Sequence, residues 1–238
     1  MAIDEGASCT DQAVTHVAFA ALPDGRTCVC LQYAAAAADR VGFLAELKDL
    51  HLAVPNDLFN ASRRTVRSAS GQTVLTSPPE RSEALAFEGG WLNIDDCLGV
   101  VVLHGGERLL IDRSASRRGG RHQSVFVEEV CLHIRNAVAR GRAGEVLADI
   151  GFAVLSGATA ESTARVRGGA IPFSQTGLRG VWVDGSDGRR YALVANFGAA
   201  VQTVDLFGEP MELAGGTAAV RGPISAPPDP PASSHHMP

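Results

Sequence analysis

The sequence predicts an all-β fold, an antiparallel β-sandwich built as two packed β units. Short apolar runs recur along most of the chain, and Gly, Pro, Asn and Asp clusters punctuate them at fairly regular intervals. Strands separated by turn signals at that spacing suggest a sandwich or barrel. Composition agrees: 45% of the 238 residues are hydrophobic and 20% charged, ordinary for a globular chain with a sizeable core. At roughly 100–200 residues per domain, the length allows one large domain or two small ones.

Residues 1–13 read as a loose leader. Residues 15–21 and 27–33 flank Pro23-Asp24-Gly25 and make a hairpin. The stretch 34–50 reads two ways. Its alanines and an apolar stripe at Val41, Leu44, Leu47 and Leu50 suit a helix. A turn at Asp39-Arg40 followed by a strand over 41–47 suits the β surroundings better. Pro55-Asn56-Asp57 opens a loop. Residues 63–68 and 72–76 flank Ser70-Gly71 as a second hairpin, and 84–87 is a short apolar run.

Trp91 to Val102 reads as strand, turn at Asp95-Asp96, and strand. His104-Gly105-Gly106 is expected to be a plain hairpin turn into residues 108–111, since no nucleophile elbow accompanies it. Residues 113–121 form a basic loop and 124–134 a strand. A composition break at 139–144 separates a larger unit, 14–143, from a smaller one, 144–222. In the latter, 146–150 and 152–155 are apolar and 156–170 is small and polar. Residues 180–183 and 191–197 flank Asp184-Gly185-Ser186-Asp187-Gly188, the clearest hairpin signal, and 201–207 and 218–220 close the ordered part. Residues 223–238 carry six of the twelve prolines and no aromatic, which predicts a disordered tail.

The net charge of −5 weighs against a general nucleic-acid binder, which needs surplus positive charge to displace counterions. No apolar run approaches the ~18 residues of a membrane helix. The first residues lack a signal-peptide pattern, so the expected location is cytoplasmic, or secreted if a longer precursor carries the signal. Lys48 is the single lysine beside twenty arginines, the mark of GC-rich coding before any functional arginine surface. The five cysteines form no CxxC. Cys28 and Cys30 share one strand face and read as buried free thiols.

No phosphate loop and no HExxH is present, and no cofactor is expected. Glycoside chemistry draws attention to two carboxylate doublets, Asp95-Asp96 and Glu128-Glu129, because it needs an acid and a base across the scissile bond. Adjacent strand residues face opposite ways, so each doublet offers one carboxylate to a given site. The favoured reading makes Asp95-Asp96 a turn. Asn93, Asp95 and Asp96 also offer oxygens to a calcium ion, though no metal site is expected. For ligand binding the candidates are the rings of Trp91 and Trp182, with Tyr33 and Tyr191 the other amphipathic aromatics. Arg117, Arg118 and Arg121 of the basic loop suit an anionic ligand. A glycosylation sequon stands at Asn60-Ala61-Ser62.

The segments AVPNDLFNASRRTV and GGWLNIDDCLGVVVLHGGERLLI resemble the all-β, non-catalytic C-terminal regions of large bacterial glycoside hydrolases and polysaccharide lyases. YALVANFGAAVQTVDLFGEPMELAGGTAAV is similar to the terminal antiparallel β-domains of many glycosidases. The resemblance covers about half the chain. It implies a module that supports a catalytic domain of a longer chain or holds polysaccharide, and it carries no catalytic residue across. Two alternatives stand beside it: a stand-alone glycosidase or lyase using the carboxylate doublets, and an interaction protein that assembles through sheet edges.

Overall fold

The computed structural model describes residues 13–36, 52–57, 63–76, 83–105, 108–113, 127–135, 144 and 146–224. In chain order the elements are β1 (Ala13–Ala21), β2 (Thr27–Ala36), β3 (Leu52–Asp57), β4 (Arg63–Ser68), β5 (Gly71–Thr76) and β6 (Glu83–Phe87). β7 (Trp91–Ile94), β8 (Leu98–His104), β9 (Arg108–Arg113), β10 (Val127–Arg135) and β11 (Val146–Ser156) follow. After these come α1 (Ala160–Arg165), β12 (Gly168–Ala170), β13 (Leu178–Asp184), β14 (Arg190–Asn196), β15 (Gln202–Leu206), β16 (Glu209–Leu213) and β17 (Thr217–Ile224).

Among the described residues the strands form four antiparallel sheets. The largest has the order β1-β2-β11-β8-β7-β4-β5. The others are β3-β10-β9-β6, β12-β13-β14-β17 and the pair β15-β16. The apolar clusters show how these stack. Ile150, Phe152, Val100 and Leu92 of the large sheet pack with Phe87, Leu109 and Ile111 of the β3-β10-β9-β6 sheet. Its opposite face packs Val29, Leu31 and Ala153 against Val181, Val183, Tyr191 and Leu193. The outer face of that third sheet packs Leu178, Ala192 and Val194 against Val204, Leu206, Met211 and Leu213. The fold is an all-β sandwich of four layers.

Side chains alternate across a strand, so a strand buried on both faces must be apolar throughout. β14 meets this condition: Tyr191 to Asn196 are all buried, and odd and even residues feed different clusters. Strands with one covered face alternate instead, as in β15 and β16. Each fully buried Leu or Val contributes about 1.5–3 kcal/mol relative to exposure.

The hairpins at Pro23-Asp24-Gly25, Ser70-Gly71, Asp95-Asp96 and 184–188 lie where the sequence puts them. Other segments differ. Pro55-Asn56-Asp57 does not open a loop but ends β3, with Pro55 opposite Glu129. A proline without an N–H is tolerated there because β3 is an edge strand. The turn after His104 is not a hairpin, since β8 and β9 belong to different sheets and the chain crosses between layers there. The two runs after Gly144 are one strand, β11, pairing with β2 and β8 in the large sheet. The small polar stretch 156–170 holds α1 and β12. The last strand continues to Ile224, opposite Arg190, so the boundary expected at 222 falls within β17. β2 runs to Ala36. The rest of 34–50, residues 1–12 of the leader and residues 225–238 of the tail lie outside the described residues. Among the described residues no helix is long and apolar enough to cross a membrane.

Candidate functional site

The layer between the large sheet and the β12-β13-β14-β17 sheet is apolar in its middle and polar at both ends. At one end, cross-strand pairing sets three large side chains in a row. His16 of β1 lies opposite Tyr33 of β2, and Tyr33 lies opposite Asp149 of β11. All three share the strand face that buries Ala18, Leu31 and Ala153 deeper in the layer. The facing sheet brings Arg179, on the same face of β13 as Val181 and Val183, and Phe197, which continues the face of Tyr191, Leu193 and Ala195.

His104 joins by a different device. Against β11, Val102 pairs with Phe152 but His104 pairs with Gly151, so Leu103 is an extra residue. Such a bulge re-aims the following side chain, here toward Asp149. Gly105 then turns the chain with φ 68°, and a Cβ there would overlap the Asp149 carbonyl oxygen. Glycine is therefore required by both backbone angle and contact.

The rings stack. His16 and Phe197 have centroids 5.4 Å apart, Tyr33 and Phe197 5.9 Å, and His16 and Tyr33 6.4 Å. The Arg179 guanidinium carbon lies 4.3 Å from the Tyr33 ring centre, within cation–π range. Arg179 Nε is 2.7 Å from Asp149 Oδ2, a charge contact whose N–H is not aligned for a hydrogen bond, while Nη1 donates to the Leu178 carbonyl at 2.6 Å. His104 Nε2 is 3.7 Å from Asp149 Oδ1, longer than a direct hydrogen bond. The Asp149 carboxylate pushes the His104 imidazole above its ordinary range, against the opposing pull of burial and of Arg179. His104 is 39% exposed, Asp149 26% and Arg179 21% at the side chain, so the group is reachable from solvent. We term this the open end.

The other end is closed by hydrogen bonds between turns. Asp24 Oδ1 accepts from the N–H groups of Arg26 and Thr27, and Asp24 Oδ2 accepts from the Thr27 hydroxyl and from the Ser186 N–H at 2.8 Å. Burial alone would raise the Asp24 pKa, but the Thr27 hydroxyl and the N–H groups of Arg26, Ser186 and Thr27 outweigh it and bring the value down to about 2. The buried Tyr191 donates its hydroxyl to Asp187 at 2.7 Å.

The residues singled out in the sequence fall elsewhere. Asp95 and Asp96 form the β7–β8 turn, both at positive φ (56° and 50°), with Cys97 N–H donating to the Ile94 carbonyl. Arg64 holds Asp95 at 2.7 Å and Arg67 holds Asp96 at 2.9 Å. Asp95 also accepts from the Thr65 N–H, and Asp96 from the Ala160 N–H at the start of α1. Their carboxylates thus anchor a left-handed turn and cap a helix. Asn93 is fully buried and turns its Nδ2 to the Ala158 carbonyl and the Thr163 hydroxyl. It faces α1, whereas the two aspartates face arginines. Among the described residues no three His, Cys, Asp or Glu side chains gather as a metal site.

Trp91 packs on Val101, Leu155 and Ala158. Trp182 is covered by Arg190, 3.9 Å from its ring centre, and Arg190 is paired with Asp184 at 2.8 Å. Tyr191 is core. Glu128 and Glu129 lie on β10 in the β3-β10-β9-β6 sheet, and their side chains are outside the described residues, as are Arg117, Arg118 and Arg121. Cys28 and Cys30 are half-buried free thiols on one face of β2, and burial pushes Cys30 up to about 12, with Cys28 adding to the rise.

No protein-family model matches the chain, and no curated protein matches its sequence. Function in such a chain is read from the chemistry of its site.

Proposed function

We propose that the protein is a non-catalytic β-sandwich module that holds a glycan at the open end. The observation that carries this reading is the convergence of His16, Tyr33 and Phe197 with Arg179, Asp149 and His104 at one solvent-reachable edge of the layer. A sugar ring presents an apolar C–H face and a rim of hydroxyls. Aromatic rings serve the first, and charged donors and acceptors serve the second with stronger hydrogen bonds than neutral groups. The resemblance to accessory regions of carbohydrate-active enzymes supports the same class of ligand. Supporting a catalytic domain of a longer chain is compatible with this role.

The test is a glycan array followed by calorimetry with the wild type and Tyr33→Ala. Saturable binding that falls at least tenfold in the variant, with the fold retained by circular dichroism, is expected. Binding that survives the substitution would remove the site from the reading. No binding to any neutral or acidic polysaccharide would remove the function. Turnover of a polysaccharide, lost in Asp95→Asn or Asp96→Asn, would restore the enzyme alternative.

A second reading draws on β1. It is an edge strand of the large sheet, its one ionisable side chain is His16, and Phe19 is 71% exposed on it. Charged residues and prolines are the usual protection of an edge, and β1 has neither. Assembly through this strand predicts a concentration-dependent dimer in sedimentation that Phe19→Lys abolishes; a monomer at high concentration removes it.

A further inference from the structure

The open end carries a charge asymmetry that points to one class of glycan. Among the described residues, Asp149 is the single acid of the groups that meet there. Among the described residues, the charged and titratable groups facing it are His16 from β1, Tyr33 from β2, His104 from β8 and Arg179 from β13, while the residue after β14 is the uncharged Phe197. With His104 neutral, Arg179 and Asp149 cancel. Protonation of His104 adds one positive charge to the cluster, and His104 and Arg179 then share one carboxylate.

Arg179 has spare capacity. Nε is held against Asp149 and Nη1 against the Leu178 carbonyl, which leaves Nη2 without a partner among the described residues. The guanidinium lies over the Tyr33 ring, so an anion that reaches Nη2 would stand beside the aromatic surface. The planar fork of arginine suits carboxylate and sulfate oxygens.

We infer that the site takes an acidic glycan, one bearing uronate carboxylates or sulfate esters, and that protonation of His104 strengthens its hold. This rests on the glycan-binding reading and specifies it. Uptake of a proton by His104 draws Asp149 toward the imidazolium and leaves Arg179 less engaged. The arriving carboxylate then meets a net cation in place of a neutral pair. The position of His104 at the rim, partly exposed, keeps the interaction screened. A change of about three- to tenfold in affinity follows from one added charge at this depth.

The experiment is calorimetry with trigalacturonate and with its carboxyl-reduced neutral counterpart, at pH 5.5 and pH 8, using the full chain. Uronate carboxyls remain ionised across that range. The expected result is binding of trigalacturonate that is about three- to tenfold tighter at pH 5.5, with the neutral trisaccharide weaker and insensitive to pH. His104→Gln keeps a polar side chain but cannot take the proton, and is expected to narrow the difference in affinity between pH 5.5 and pH 8 to less than about twofold, whatever its effect on binding at pH 8. Asp149→Asn removes the competing acid and is expected to tighten binding of trigalacturonate at pH 8. Equal affinity for the acidic and neutral trisaccharides overturns the inference and leaves glycan binding standing. A pH dependence unchanged in His104→Gln overturns the role of His104. Failure of both trisaccharides to bind overturns the inference, and the array then decides separately whether the broader reading falls with it.

Discussion

The two ends of one sandwich layer are built from similar parts and behave as opposites. At the closed end, Asp24 accepts four hydrogen bonds from its own turn and from Ser186 of the facing sheet, and Tyr191 is buried with its hydroxyl on Asp187. At the open end, Asp149 accepts no aligned hydrogen bond from Arg179 or His104, and three rings remain half-buried. A carboxylate with all its lone pairs used stabilises a fold. One with capacity to spare beside unsealed rings can exchange its partners for a ligand. Stability is therefore assigned to the closed end and binding to the open one.

The largest effect that can break this assignment is Tyr191→Ala. The side chain is 1% exposed at the closed end of the layer, and truncation of such an aromatic costs about 3–5 kcal/mol. Chemical denaturation is expected to show that loss. A cost under 1 kcal/mol would mean that the closed end does not hold the sheets together. Asp24→Ala comes next. It leaves the Ser186 and Thr27 donors without their acceptor, at an expected cost of about 1–3 kcal/mol.

The ends also differ in the pH at which they fail. The folded-state pKa of Asp24 is depressed to about 2, so its contribution is present above the ordinary carboxylate pKa and is lost as pH falls through about 2. His104 is raised by Asp149, so its contribution is present below the ordinary imidazole pKa and is lost as pH rises through the folded value. Melting curves against pH should show an acid limb absent from Asp24→Ala and a limb on the alkaline side of the ordinary imidazole pKa that His104→Gln lacks. An acid limb that persists in Asp24→Ala would assign it to other carboxylates.

These ends also measure how far the sequence could be read. The turns of the closed end are local: Pro23-Asp24-Gly25 and Asp184–Gly188 announce themselves by residue type, and the hairpins follow. The open end is not local. Its six side chains come from β1, β2, β8, β11, β13 and the residue after β14, and no spacing links them. The available signal was parity. Asp149 and Arg179 interrupt apolar runs at positions whose strand neighbours two residues on, Gly151 and Val181, face the core layer, and Tyr33 does so after Val29 and Leu31. The bulge that turns His104 inward leaves no mark in composition. The same lack of local signal hid β3, where Pro55 reads as a breaker until its place at a sheet edge is known, and α1, which is one short turn of small polar residues capped by Thr159. The Asp95-Asp96 doublet drew attention as chemistry, yet its turn role was legible too, since paired Asp tolerates the left-handed backbone.

Gly105→Ala sharpens the comparison from the backbone side. The added methyl would press on the Asp149 carbonyl and sit at an unfavourable φ. It is expected to cost about 1–2 kcal/mol and to weaken glycan binding with it, because the displaced strand end carries Asp149. Loss of stability with undiminished affinity would separate the loop from the site.

The smallest effect comes from Trp182, a half-buried aromatic of the facing sheet. Trp182 is one of the two tryptophans whose rings the sequence offers for ligand binding. It sits on the even-numbered face of β13, away from the layer that holds Arg179 and Val181, and its ring is occupied by the Arg190 guanidinium, itself held by Asp184. Trp182→Phe keeps an aromatic face with a weaker attraction for the cation, so a stability loss of about 0.5–1 kcal/mol is expected. Glycan affinity should remain within twofold of wild type, in contrast to the tenfold or greater fall for Tyr33→Ala. Equal losses at the two positions would mean that a ring on either sheet can serve, and the pairing of rings with Asp149 and Arg179 at the open end would then explain nothing about binding.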